Sequence, residues 1–86
     1  MLKDIVAAEA LSGYRLRLRF EDGVSGVVDL VDRISFRGVF EPLRDSTYFA
    51  LVRVDPELGT VVWPNGADLD PDVLYGAITD TPVLAG

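Results

Sequence analysis

The sequence predicts a small α+β domain: a compact antiparallel sheet, built from an N-terminal three-stranded meander and a second hairpin, with short helices and the last helix C-terminal. Three observations carry this expectation. Residues Tyr14 to Phe20 alternate strictly, two β-branched runs flank Pro56-Glu57-Leu58-Gly59, and a capped helical pattern opens at Asp70-Pro71. A chain of 86 residues allows one domain, 1–86, with a modest core near the size limit for independent folding, so a homodimer is a possible aid to stability.

In Tyr14-Arg15-Leu16-Arg17-Leu18-Arg19-Phe20 one face is apolar and the other basic, the pattern of a half-buried strand. Val24, Gly26, Val28 and Leu30 continue the alternation as a second strand. Register decides the loop between them. A two-residue Asp22-Gly23 loop sets Asp29 against core-facing Leu16. A three-residue loop pairs Phe20 with Val24, Leu16 with Val28 and Arg15 with Asp29, and places Gly23 at the left-handed position of a bulged turn. Lys3 to Ala10, followed by the Leu11-Ser12-Gly13 corner, is expected as the preceding strand. Ala10 is expected opposite Tyr14, Val6 opposite Leu18 and Glu9 opposite Arg15, with Arg15 between Glu9 and Asp29 at roughly 0.2–1 kcal/mol per pair.

After Leu30 the period changes. Val31, Ile34, Phe36, Val39, Phe40 and Leu43, interrupted by Gly38 and Pro42, predict a loop and a short helix from about residue 39 to 44. Asp45-Ser46-Thr47 offers a cap for a further turn through Tyr48 and Phe49. Leu51 to Asp55 and Thr60 to Trp63 read as a hairpin with a four-residue connection. Asp70 as N-cap, Pro71 at the first helical position, Asp72 in the first turn, and Val73, Leu74, Ala77 and Ile78 at helical spacing predict the last helix.

The absence of Cys excludes disulfides, thiolate metal sites and thiol catalysis, and the absence of His removes the commonest general base and metal ligand. The serines at 12, 25, 35 and 46 have no base to activate them, so no serine hydrolase is expected. A net charge of −6 opposes non-specific binding to nucleic acid. The apolar runs are too short for a membrane span or a secretory signal, and the chain reads as cytoplasmic.

Three candidates for function remain. Trp63-Pro64-Asn65-Gly66-Ala67-Asp68-Leu69-Asp70-Pro71 holds the sole Trp and the sole Asn. Asp68, Asp70 and Asp72 alternate as in a calcium loop, but the required Gly and Glu positions hold Val73 and Thr79, so the match fails. These carboxylates then read as turn and helix-cap residues, with Trp63 ending a strand as a core anchor and Asn65 or Gly66 taking positive φ. The arginines at 15, 17 and 19 form a second candidate, read first as a solvated face with ion pairs, next as a protein-binding face centred on Arg17, and last as a nucleic-acid contact. The third is the aromatic set, mostly core, from which Trp63 or Tyr75 is the first choice for an exposed docking patch.

Asp22-Gly23, Asp29-Leu30, Gly38-Val39-Phe40, Pro42-Leu43-Arg44-Asp45, Phe49, the run from Gly59 through Trp63-Pro64-Asn65-Gly66-Ala67-Asp68 to Pro71, and Leu74-Tyr75 together resemble a bacterial family, domain of unknown function twenty-four forty-two. The resemblance covers nearly the whole chain and implies a small α+β fold with a compact antiparallel sheet. Members of such a family stand alone or are joined to a helix-turn-helix segment, and are often encoded beside another small protein, which implies an antitoxin-like role. Eleven residues follow Tyr75, too few for a DNA-reading helix pair, so direct operator binding is not expected. The expected function is a non-enzymatic protein-interaction module with a protein partner and no cofactor. The alternative is a small-ligand or metal-binding domain around Asp68, Asp70 and Arg44.

Overall fold

In the computed structural model, which describes residues 3–79, the chain forms β1 (Ile5–Leu11), β2 (Arg15–Phe20), β3 (Ser25–Asp29), a 3₁₀ helix (Gly38–Arg44), α1 (Ser46–Phe49), β4 (Arg53–Asp55), β5 (Thr60–Val62) and α2 (Pro71–Thr79). β1, β2 and β3 form an antiparallel meander, and β4 and β5 a separate antiparallel pair. This is the α+β architecture that the alternation and capping signals predict.

The β2–β3 register follows the expected three-residue loop. Arg15 lies opposite Asp29 and Leu16 opposite Val28; Phe20 N–H donates to the Val24 carbonyl at 2.7 Å, and Gly23 has φ +92°. Leu16, Leu18 and Phe20 are buried while Arg15, Arg17 and Arg19 are exposed, so the two faces of β2 part as their chemistry requires.

β1 departs from expectation by two residues. Leu11 pairs with Arg15, Ala10 with Leu16, Glu9 with Arg17 and Ala8 with Leu18. Two local features cause the shift. The loop is Ser12-Gly13-Tyr14, with Gly13 at φ +75° and Tyr14 itself at φ +60°. A left-handed non-glycine residue costs about 1–2 kcal/mol. It is offset here because the Tyr14 ring packs on Phe36 and Phe49 at centroid distances of 5.2 and 5.5 Å, and its hydroxyl donates to the Arg44 carbonyl. A register irregularity between Ile5 and Ala7 then changes the parity of the strand, so that Ile5, Ala8 and Ala10 face the core and Val6 is left 46% exposed rather than opposite Leu18.

The second half is held by caps and turns. Asp45 Oδ1 accepts the Thr47 N–H at 2.9 Å and starts α1, as its sequence position predicts. β4 and β5 are joined by the four residues 56–59, with Asp55 opposite Thr60. The Gly59 carbonyl accepts the Ile5 N–H at 2.9 Å and ties this hairpin to β1. One core draws on every layer: Ile5, Leu16, Leu18, Phe20, Val28 and Leu30 from the meander side, Leu43 and Phe49 from the middle, and Val61, Trp63, Ala67 and Leu74 from the C-terminal part.

Candidate functional site

The Trp63–Pro71 run is built as a corner. Gly66 N–H donates to the Trp63 carbonyl and Trp63 N–H to the Ala67 carbonyl, both at 2.9 Å, while Gly66 takes φ +90°. The chain thus reverses and runs back along β5, with a bridge between Val62 and Asp68 and the Thr60 hydroxyl donating to the Leu69 carbonyl at 2.6 Å. The buried indole of Trp63 donates its Nε1–H to the Phe49 carbonyl at 2.9 Å, which ties the corner to α1. Of the two roles open to Trp63, it fills that of core anchor, and its burial overturns its use in an exposed patch. Asn65 works in both directions: Oδ1 accepts the Ala67 N–H at 3.1 Å and Nδ2 donates to the Val39 carbonyl at 2.8 Å, pinning the turn to the 3₁₀ helix. That second bond spans 26 residues of sequence and has no local signal.

Asp70 Oδ1 accepts the Asp72 N–H at 2.9 Å, the N-cap expected for α2. Asp68 is exposed on the returning segment. Arg44 is not brought to either aspartate as an ion pair; its Nε donates to the Phe36 carbonyl at 3.2 Å. Among the described residues, no group of three or more His, Cys, Asp or Glu side chains is arranged to hold a metal ion.

Tyr75 belongs to a different neighbourhood from Trp63. It is half-buried on α2, edge-on to Phe20 at 4.9 Å, and its hydroxyl donates to Asp22 Oδ2 at 2.5 Å. Asp22 Oδ1 also accepts the Val24 N–H at 3.0 Å. The Tyr75 hydroxyl, then the Val24 amide, hold the Asp22 carboxyl below its ordinary value, and the same carboxylate raises the phenol of Tyr75. This clamp fixes α2 over the β2–β3 turn.

The outer face of the meander carries the remaining candidate. Its three rows run Leu11–Arg15–Asp29, Glu9–Arg17–Val27 and Ala7–Arg19–Ser25. Arg17 Nη1 meets Glu9 Oε1 at 2.8 Å, so Glu9 serves Arg17 and not Arg15, the consequence of the shifted β1 register. Arg15 instead donates its Nε–H to the Ser12 carbonyl at 2.9 Å. Arg19 has no carboxylate in its row. All three arginines, together with Ser25, Val27 and Asp29, are exposed, and the face keeps a positive surplus on a chain of net charge −6. Among the described residues, no helix is long and apolar enough to cross a membrane.

No curated protein and no solved structure matches this chain. A family model described as "Protein of unknown function (DUF2442)" matches residues 5–80, from the start of β1 to the end of α2, and by that match the chain belongs to the DUF2442 family of proteins of unknown function.

Proposed function

We propose that this is a non-enzymatic protein-interaction module of a bacterial cytoplasm, serving as the antitoxin-like or accessory partner of a small neighbouring protein. The observation that carries the reading is the uncovered outer face of β1–β3, where Arg15, Arg17 and Arg19 stand in line on an otherwise acidic chain. Such a face selects an acidic protein surface, and local charge of this kind governs encounter rate and specificity more than raw affinity. Nucleic acid fits less well because the whole-chain charge opposes approach to phosphates. The alternative, ligand or metal binding at Asp68 and Asp70, has no comparable support, because Asp70 is engaged as a helix cap and Arg44 is held at the Phe36 carbonyl.

The test is co-expression with the product of the adjacent gene, followed by size-exclusion chromatography at low and high salt. A stoichiometric complex that weakens with salt, and that Arg17→Glu weakens by about tenfold or more, is expected. Failure to form a complex, or a complex indifferent to Arg17→Glu and Arg19→Glu, would overturn the reading. Far-UV circular dichroism of the variants guards against loss of fold.

A further inference from the structure

The hydrogen-bond parity of β3 leaves one side of the strand without a partner. Phe20 N–H donates to the Val24 carbonyl and Leu30 N–H to the Tyr14 carbonyl at 3.0 Å, so Val24, Gly26, Val28 and Leu30 direct their backbone groups towards β2. Those of Ser25, Val27 and Asp29 face the other way, and among the described residues no other strand pairs with β3. Open edges are normally blunted by a bulge, an edge Lys or Pro, or a covering segment. β1 has such devices in its irregularity at Ile5/Ala7 and in the Gly59 carbonyl bonded to Ile5. Among the described residues β3 has no bulge and no pairing segment: its register with β2 is regular, and Ser25-Gly26-Val27-Val28-Asp29 contains neither Lys nor Pro, its one charge being Asp29 at the end.

We infer that the β3 edge takes a second copy of this chain, antiparallel about a two-fold axis at Val27, giving a continuous six-stranded sheet. Charge and register select this occupant. With Val27 opposite Val27 of the second copy, Ser25 lies opposite Asp29 of that copy and Asp29 opposite its Ser25, so all three outward residues are paired and no like charges face each other. Slipping by two residues either way leaves one of the three without a strand partner. In this register the Asp29 of the second copy comes one strand beyond Ser25, two strand spacings or about 10 Å from the Arg19 backbone, within the combined reach of the two side chains. Arg19, which has no carboxylate in its own row, gains one in the pair. Val27, 46% exposed in the single chain, meets its own copy at the axis. Both arginine faces lie on the same side of the extended sheet and remain open, so this association uses an edge that the proposed partner surface does not.

Sedimentation of the full chain from micromolar to millimolar concentration, with amide hydrogen exchange at both ends of the range, tests the inference. The expected result is a reversible dimer of the 9.4 kDa chain in which the amides of Ser25, Val27 and Asp29 become protected as concentration rises. Val27→Lys, which sets two like charges across the axis at an exposed position, is expected to raise the dimer Kd by about tenfold or more. A chain that stays monomeric throughout, or a dimer in which those three amides stay unprotected, would overturn it. The exchange measurement on the unsubstituted chain decides the matter even if Val27→Lys does not fold, and neither result bears on whether the arginine face captures a different protein.

Discussion

Asp22 and Tyr75 are 53 positions apart in sequence, yet their 2.5 Å hydrogen bond joins the β2–β3 turn to α2 and makes stability depend on pH. The folded-state pKa of Asp22 is depressed, so its contribution is present above the ordinary aspartate range and is lost as pH falls through the folded value. The phenol of Tyr75 is raised, so its contribution is present below the ordinary tyrosine range and fades as pH rises through the folded value. The bond therefore stabilises most between roughly pH 4 and 10. Tyr75→Phe is expected to lower Tm at neutral pH and to lose that deficit as pH falls below the aspartate range, because the protonated Asp22 no longer offers a charged acceptor. A deficit that stays constant down to acid pH would show that the ring environment, and not the bond, is responsible. At this scale the sequence was legible where a residue's role is local: Trp63 as an anchor, Gly66 at positive φ, Asp45 and Asp70 as caps. The Asn65 bond to Val39 and the Tyr75 bond to Asp22 were not, since no short-range pattern announces a partner across such separations.

The elements that the sequence reveals least are those positioned by a neighbour. β2 and β3 carry clean alternation that fixes their register, whereas Ile5–Leu11, three of whose seven residues are alanine, gives too weak a periodicity to reveal a parity change within it. Gly26 is the reverse case, a residue that carries its own signal. A glycine inside a strand marks a close approach, and a Cβ built at Gly26 would stand 2.7 Å from Ile78 Cγ2, so α2 sits on β3 at this residue. Because Cγ2 branches directly from Cβ, Ile78 cannot swing a flexible end aside. Gly26→Ala is expected to destabilise by about 1–3 kcal/mol through overpacking. In an Ile78→Ala background the same change should cost less, with a coupling of roughly 0.5–3 kcal/mol between the two sites. Urea denaturation of the four proteins in the cycle measures it; additive costs would mean that the helix does not rest on Gly26.

The molecule has two sheets that do not share a ladder, and what joins them is the common core and the bond from the Ile5 N–H to the Gly59 carbonyl at 2.9 Å. That arrangement bears directly on whether the chain behaves as one domain. Trp63, the sole tryptophan, lies at the end of β5 and packs against Phe49 at a centroid distance of 5.8 Å, so its fluorescence reports the C-terminal half. Far-UV circular dichroism reports the ordered backbone as a whole, including α2 and the three longer strands of the meander. Since Leu16, Leu18 and Phe20 share one buried cluster with Val61, Trp63 and Leu74, opening either half exposes apolar surface of the other, and the free-energy minimum between them is removed. Fluorescence and circular dichroism are therefore expected to give coincident urea transitions with the same midpoint and slope. A Trp63 transition that precedes the loss of the far-UV signal would instead make the β4–β5 hairpin and its corner a separately melting unit. In that case the Ile5–Gly59 tie is the weak seam, and Gly59→Ala, which forces a Cβ to within 2.7 Å of Asp4 Cγ at a backbone of φ +71°, should widen the gap between the two transitions.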